Sequence, residues 1–149
     1  MGKQLEGYTI SEIISRIPAY GDGMTKGEAY LRAWKLGFKG DFSEIDKIYH
    51  PEYSAFDDAT DVKVNLNMDK TIGSELGKSM IIGPQTILFE DENKVKIQTF
   101  DKYKDADIFQ IITSEITYKD GKIISQKTVV RELDYDPSEG QDWNWEDYE

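Results

Sequence analysis

One hairpin decides the fold of this chain: Tyr118-Lys119-Asp120-Gly121-Lys122-Ile123-Ile124 joins two long predicted strands by a tight turn. Asp120 and Gly121 both tolerate the positive φ that a two-residue hairpin turn requires. The second half of the chain contains four predicted strands, at residues 80–89, 95–103, 108–118 and 122–133. Polar connectors separate the first three. The second half of the chain therefore predicts a mostly antiparallel sheet.

The first half of the chain shows three helix-start signals. Thr9, Thr25 and Asp41 are each followed three residues later by Glu. In this pattern the cap oxygen and the Glu carboxylate accept hydrogen bonds from backbone N–H groups that the helix leaves free. We expect helices over residues 10–17 and 26–38 and a short third helix after Asp41, which together with the sheet predict the α+β class.

The predicted strand at residues 108–118 is apolar on both faces. Ile112 and Ile116 lie on one side, and Phe109 and Ile111 lie on the other. A strand with one face on water would instead alternate apolar and polar residues. One face is expected to cover the helices and the other to meet a second subunit, which predicts a homodimer.

Composition limits the function further. The chain has 149 residues, a net charge of −11, one histidine and no cysteine. The acidity argues against nucleic acid and membrane surfaces as partners. With His50 alone, a multi-histidine metal site is excluded, and no metal or cofactor is predicted. Because the chain carries neither a signal peptide nor a membrane-spanning run, we expect a cytoplasmic protein.

The last sixteen residues differ from the rest. Residues 1–133 are predicted to form one domain, and residues 134–149 form an acidic tail that carries Tyr135, Trp143, Trp145 and Tyr148. A disordered, solubilising end is one interpretation of such a tail. The other is that its aromatic rings dock on the domain or its partner, because exposed tryptophan is costly in water.

Two segments resemble nuclear transport factor 2-like proteins. Gly40-Asp41-Phe42, the apolar positions Ile45, Ile48 and Tyr49, and then His50-Pro51-Glu52-Tyr53-Ser54-Ala55-Phe56-Asp57 resemble the helix-to-strand segment of that superfamily. The Asp120–Ile124 hairpin resembles its last hairpin, especially in the SnoaL-like polyketide cyclase and ketosteroid isomerase branches. The resemblance covers about residues 25–133. It implies a cone in which three helices pack into a curved, mostly antiparallel sheet, and dimerisation through the outer sheet face.

The resemblance also suggests candidate residues for chemistry. Asp57 falls on the position of the aspartate that shuttles the proton in ketosteroid isomerases, although neighbouring Asp58 also fits a solvated acidic turn. Ser114 stands where that family has a protonated aspartic acid, and Tyr30 and Trp34 lie near the position of its oxyanion tyrosine.

The remaining predicted pocket residues supply hydrogen bonds and apolar surface. Gln126 and Thr128 are expected to face the cone without providing a strong base, and Tyr53 and Ile116 complete the predicted ligand-binding set. The sequence thus predicts a SnoaL-like domain that binds a small, largely apolar molecule. Isomerase-, cyclase- or dehydratase-type acid–base chemistry by Asp57 is one hypothesis. A non-catalytic binding or dimeric interaction domain is the alternative.

Overall fold

The structure, a computed structural model, describes residues 4–5, 8–9, 19–20, 23–57 and 61–149. For residues 4, 5, 8, 9, 19, 20 and 57 it describes the backbone alone. The helix predicted at residues 10–17 lies outside the described residues, as does Asp58.

The described residues form three α-helices and one 3-10 helix: α1 (Lys26–Gly37), α2 (Ile45–Ile48), α3 (Leu66–Ser79) and η1 (Trp145–Tyr148). The strands are β1 (Gln4–Leu5), β2 (Tyr8–Thr9), β3 (Ala19–Tyr20), β4 (Met24–Thr25), β5 (Tyr49–Asp57), β6 (Val62–Val64), β7 (Met80–Glu90), β8 (Lys94–Tyr103), β9 (Phe109–Lys119) and β10 (Lys122–Leu133).

A six-stranded curved sheet dominates the molecule, with strand order β6-β5-β10-β9-β8-β7. Only the β5–β10 pair is parallel within this sheet. The β9–β10 turn is the predicted hairpin, and Asp120 and Gly121 adopt φ of 53° and 76°. Register shifts interrupt β7 and β10, and such bulges bend strands. The predicted α+β fold with a curved sheet is therefore confirmed.

Helix α1 begins at the predicted cap. The Thr25 side chain accepts from the Glu28 backbone at 3.2 Å, and Glu28 accepts from the Thr25 backbone at 3.0 Å. The prediction for Asp41 was wrong, because α2 begins after Glu44 without a side-chain cap. Asp41 instead accepts from the backbone and hydroxyl of Ser43, so its carboxylate is used in a local turn.

The sequence of residues 58–79 fits either a strand or a helical turn, and the structure forms helix α3 over Leu66–Ser79. Asn65 caps it by accepting from the Met68 backbone at 2.9 Å. Gly77 permits its close approach to α1, since a Cβ there would lie 2.0 Å from the carbonyl oxygen of Phe38. A Cβ on Gly73 would lie 2.4 Å from the Trp34 ring. The two glycines thus seat α3 against the end of α1.

The main core lies between the helices and the concave face of the sheet. Its fully buried centre includes Ala33 from α1, Ile45 from α2 and Val95 from β8. The other buried members are Tyr30, Trp34, Ile48, Tyr49, Tyr53, Ile97, Ile116, Tyr118 and Ile123. Burying side chains of this size stabilises a fold by about 1.5–3 kcal/mol each.

The C-terminal tail packs on the outer face of the sheet. Trp145 is buried against Phe109 and Ile81, and partly buried Phe100, Leu133 and Trp143 surround them. Phe109 faces outward as the two-sided strand pattern predicts, and the tail of the same chain covers it. No helix of the described residues is both long and apolar enough to cross a membrane.

Candidate functional site

A cavity of about 350 Å³ opens between α1, α3 and the concave face of the sheet. This volume falls within the range of small-molecule sites. The exposed side chains of Phe56, Ile72 and Val130 line it and mark its mouth. The rest of the lining consists of Tyr30, Trp34, Phe38, Ala55, Val64, Asp69, Gly73, Leu76, Ile82, Gln85, Ile97, Thr99, Asp101, Ile112, Ser114, Gln126 and Thr128.

The residues predicted from the sequence fall into three groups. Tyr30, Trp34, Ser114, Gln126 and Thr128 line the cavity. Tyr53 and Ile116 are buried in the core instead and are not among the lining residues. Asp57 ends strand β5, where its backbone pairs with Val62, and its side chain is outside the described part of the chain. A role in ligand binding or catalysis for any of them stays a prediction.

Asp101 stands out chemically on the cavity wall. Its residue is 1% exposed, and Oδ1 has no hydrogen-bond partner among the described residues. Removal from water disfavours the charged carboxylate, so burial raises the pKa of Asp101 from 3.8 to about 7. A carboxyl with this pKa can both donate and accept a proton near neutral pH.

A second carboxyl, Asp69, lies on α3 and also lines the cavity. The hydroxyl of Tyr53 donates to its Oδ2 at 2.6 Å. Burial raises the pKa of Asp69, and the bond from Tyr53 offsets part of that rise. Asp69 thus has a hydrogen-bond donor within the protein, whereas Asp101 Oδ1 has none among the described residues.

Buried tyrosines pack behind the residues of the cavity wall. The indole of Trp34 donates to the Tyr49 hydroxyl at 2.8 Å, and the rings of Tyr49 and Tyr53 meet edge to face at 4.7 Å. Burial raises the pKa of Tyr30 well above its usual value, and the Gln126 side chain offsets part of the rise. Tyr30 is therefore a neutral phenol at physiological pH.

The remaining polar groups of the wall are neutral amides and hydroxyls. Gln85 Nε2 donates to Thr99 Oγ1 at 3.2 Å, and Gln126 Nε2 donates to Thr128 Oγ1 at 3.3 Å. Gln126 Oε1 is buried without a partner in the described structure. The described residues contain no group of three or more His, Cys, Asp or Glu side chains able to hold a metal ion.

Sequence reasoning missed Asp101 although a signal was present. Val95, Ile97, Thr99 and Asp101 alternate along β8, and all four are buried. An acidic residue in phase with buried aliphatic residues marks either an error in the strand assignment or a functional carboxyl. Asp69 was not predicted as a site residue for another reason, because the sequence around it shows no clear helical pattern.

Comparison with known proteins identifies the fold. No protein-family model matches the chain, and no curated protein matches it. An NTF2-like protein of unknown function from Burkholderia xenovorans LB400 superposes with a TM-score of 0.57 at 15% identity, covering 75% of this chain and 87% of that one. A steroid delta-isomerase from Pseudomonas aeruginosa gives 0.52 at 14% identity, covering 77% and 83%.

A third solved structure, TerC co-crystallised with polyporic acid, has a TM-score of 0.57 at 13% identity and covers 71% of this chain and 91% of that one. These identities are low, and the shared property is the architecture of helices packed on a curved sheet. The chain has the nuclear transport factor 2-like fold predicted from its sequence. Within this fold the function resides in the site.

Proposed function

We propose that this protein binds a small, largely apolar molecule in its conical cavity and exchanges a proton with it through Asp101. The observation that carries the proposal is a carboxyl that is 1% exposed, lines an apolar cavity and leaves Oδ1 without a partner. Leaving a buried acceptor unpaired costs about 1–3 kcal/mol. Unpaired groups and perturbed acids concentrate at functional sites, where a ligand completes them.

Relatives in fold are consistent with this proposal. One neighbour is named a steroid delta-isomerase, and another was crystallised with polyporic acid. We propose acid–base chemistry of the isomerase, cyclase or dehydratase type, with Ser114, Thr128 and Tyr30 as hydrogen-bonding groups around the ligand. Asp57 remains the base predicted from the sequence, so Asp57 and Asp101 require a test that separates them.

A base-catalysed elimination provides that test. A carboxylate base removes the proton from C3 of 5-nitrobenzisoxazole while the N–O bond breaks, which gives a coloured cyanonitrophenolate. We expect the rate to rise with pH through about 7, as Asp101 ionises. The D101N variant should lose about a hundredfold, because a positioned base contributes this much.

The control is D105N, whose parent residue is exposed on the β8–β9 loop, and it should retain the full rate. If D57N loses the elimination rate and D101N retains it, the catalytic base is Asp57 and not Asp101. Equal rates in wild type, D57N and D101N, with the compound still bound, would instead support the alternative of a non-catalytic binding domain.

We also propose that two copies of the chain associate through the outer sheet face left free by the tail. Exposed Leu88 and Phe89 on β7 and Val129 on β10 supply apolar surface. Strands β9 and β8 separate these residues on the sheet, so the proposed contact spans the width of its outer face. Sedimentation at micromolar concentration should give a dimer for the wild type and a monomer for V129E. A monomeric wild type would contradict the proposal.

A further inference from the structure

The ionisable side chains of the cavity wall are all acidic. They are Tyr30, Asp69 and Asp101, and no Lys, Arg or His belongs to the lining among the residues that the structure describes. The residues paired with Asp101 across the sheet are Ile82 on β7 and Gln110 on β9, and both are uncharged. The site therefore presents acidic groups without a cation of its own.

Two hydrogen-bond acceptors on this wall are unsatisfied. Asp101 Oδ1 and Gln126 Oε1 are both buried without partners in the described part of the chain. An apolar ligand without a donor would leave both of them unpaired, at a cost for each. A ligand anion would meet two carboxyls and no cation. Asp101 and Gln126 pair with β9 at Gln110 and Ile116, six residues apart, so one group cannot reach both. The missing complement of Asp101, on a wall with acidic groups and no cation, is a group that donates hydrogen bonds and carries positive charge, which describes an ammonium group.

The rest of the cavity suits the body of such a ligand. The rings of Trp34 and Phe38 and the aliphatic chains of Ile97 and Ile112 line it. Aromatic faces also attract cations, most strongly where water is excluded. The net charge of −11 draws cations toward the protein from a distance.

We infer that the ligand of this cavity is an apolar amine, whose ammonium group pairs with Asp101 while its hydrocarbon body fills the cavity. This inference rests on the proposed binding function and holds whether or not a chemical step follows binding. It narrows the substrate class, since it excludes carboxylates and phosphates. It also assigns Asp101 a second role, because pairing with the ammonium group keeps the carboxylate ionised.

Three probes of one skeleton test the inference by calorimetry: 1-naphthylmethylamine, 1-naphthalenemethanol and 1-naphthoate. At pH 6 we expect the amine to bind at least about tenfold more tightly than the alcohol, and the carboxylate to bind most weakly, as charge pairing in an excluded site requires. Amine binding should release a proton from Asp101, which appears as a binding enthalpy that depends on the ionisation enthalpy of the buffer.

The D101N variant separates this inference from general attraction by an acidic protein. In D101N the amine and the alcohol should bind within about threefold of each other without proton release, since the pairing charge is gone. The D105N control should behave as the wild type. An alcohol that binds as tightly as the amine overturns the inference and leaves the proposed function standing. Failure of all three probes to bind overturns both, and an amine preference retained in D101N overturns the inference alone.

Discussion

Replacing Trp145 with alanine is expected to lower the free energy of unfolding by about 3 kcal/mol, the lower end of the range for removing a buried tryptophan. The Trp145 ring stacks on Phe109 at 6.0 Å and meets Trp143 edge to face at 5.0 Å. Its indole donates to Asp136 at 3.0 Å. The substitution removes all these contacts and uncovers Phe109 and Ile81 on the outer sheet face.

Urea unfolding followed by circular dichroism measures this loss. The matched control is Y135A, because Tyr135 is an aromatic residue of the same tail and is 55% exposed. It should change the free energy of unfolding by less than about 0.5 kcal/mol. A W145A protein as stable as Y135A would mean that the packing of Trp145 contributes nothing to the stability of the fold.

A second variant tests the same packing from the sheet side. A Cβ on Gly83 would lie 2.8 Å from the Trp145 ring and 2.9 Å from the carbonyl oxygen of Phe100. G83A should therefore displace the tail without removing any of its residues. We expect it to make the tail accessible to protease, as W145A does, while Y135A leaves it protected.

Local signals predicted the scaffold well. The Asp120-Gly121 turn, the Thr25 capping box and the strand patterns around them depend on neighbouring residues, so a single sequence reveals them. The Asp41 signal failed because its carboxylate has a nearer competitor in Ser43. The cap pattern describes what a side chain can bind, and a nearer local partner can take that bond instead.

The site was harder to predict, because it depends on which faces of distant strands meet. Ser114, Gln126 and Thr128 belong to strands β9 and β10, whose pairing follows from the hairpin, and all three line the cavity. Asp101 and Asp69 come from β8 and α3, which are separated along the chain by a long strand. Only the folded arrangement shows that these two carboxyls share one cavity.

The tail illustrates a related limit. Its composition fits both a solubilising end and a docked segment, since acidic and aromatic residues alternate there. The residues that decide the docking, Ile81, Gly83 and Phe109, lie more than thirty residues from Trp145 in sequence. Docking by the tail also explains why a strand with two apolar faces does not by itself require a second subunit.

Replacing Asp101 with asparagine is expected to stabilise the fold at high pH and not at low pH. The pKa of this carboxyl is about 7 in the folded protein, against a usual value of 3.8. At about 1.4 kcal/mol for each tenfold change in affinity for the proton, ionised Asp101 costs the fold about 4 kcal/mol. Buried asparagine retains some desolvation cost, so we expect D101N to gain about 2–4 kcal/mol at pH 8.

The sign of the pH dependence follows from proton linkage. Because the folded protein holds this proton more tightly than the unfolded chain does, protonation favours folding. The contribution of Asp101 is therefore fully favourable below about pH 4, declines as pH rises, and is lost above about pH 7. Asp69, whose pKa burial also raises, acts in the same direction and remains in both proteins. The difference between wild type and D101N isolates Asp101.

Urea unfolding of wild type, D101N and D105N at pH 4, 6 and 8 measures this difference. We expect the gain of D101N over wild type to be near zero at pH 4 and largest at pH 8, with D105N unchanged throughout. A gain that is the same at every pH would mean that Asp101 does not hold a proton in the folded state. Because a natural chain does not keep so costly a carboxyl for stability, a pH-dependent gain favours selection of Asp101 for what it does to a ligand.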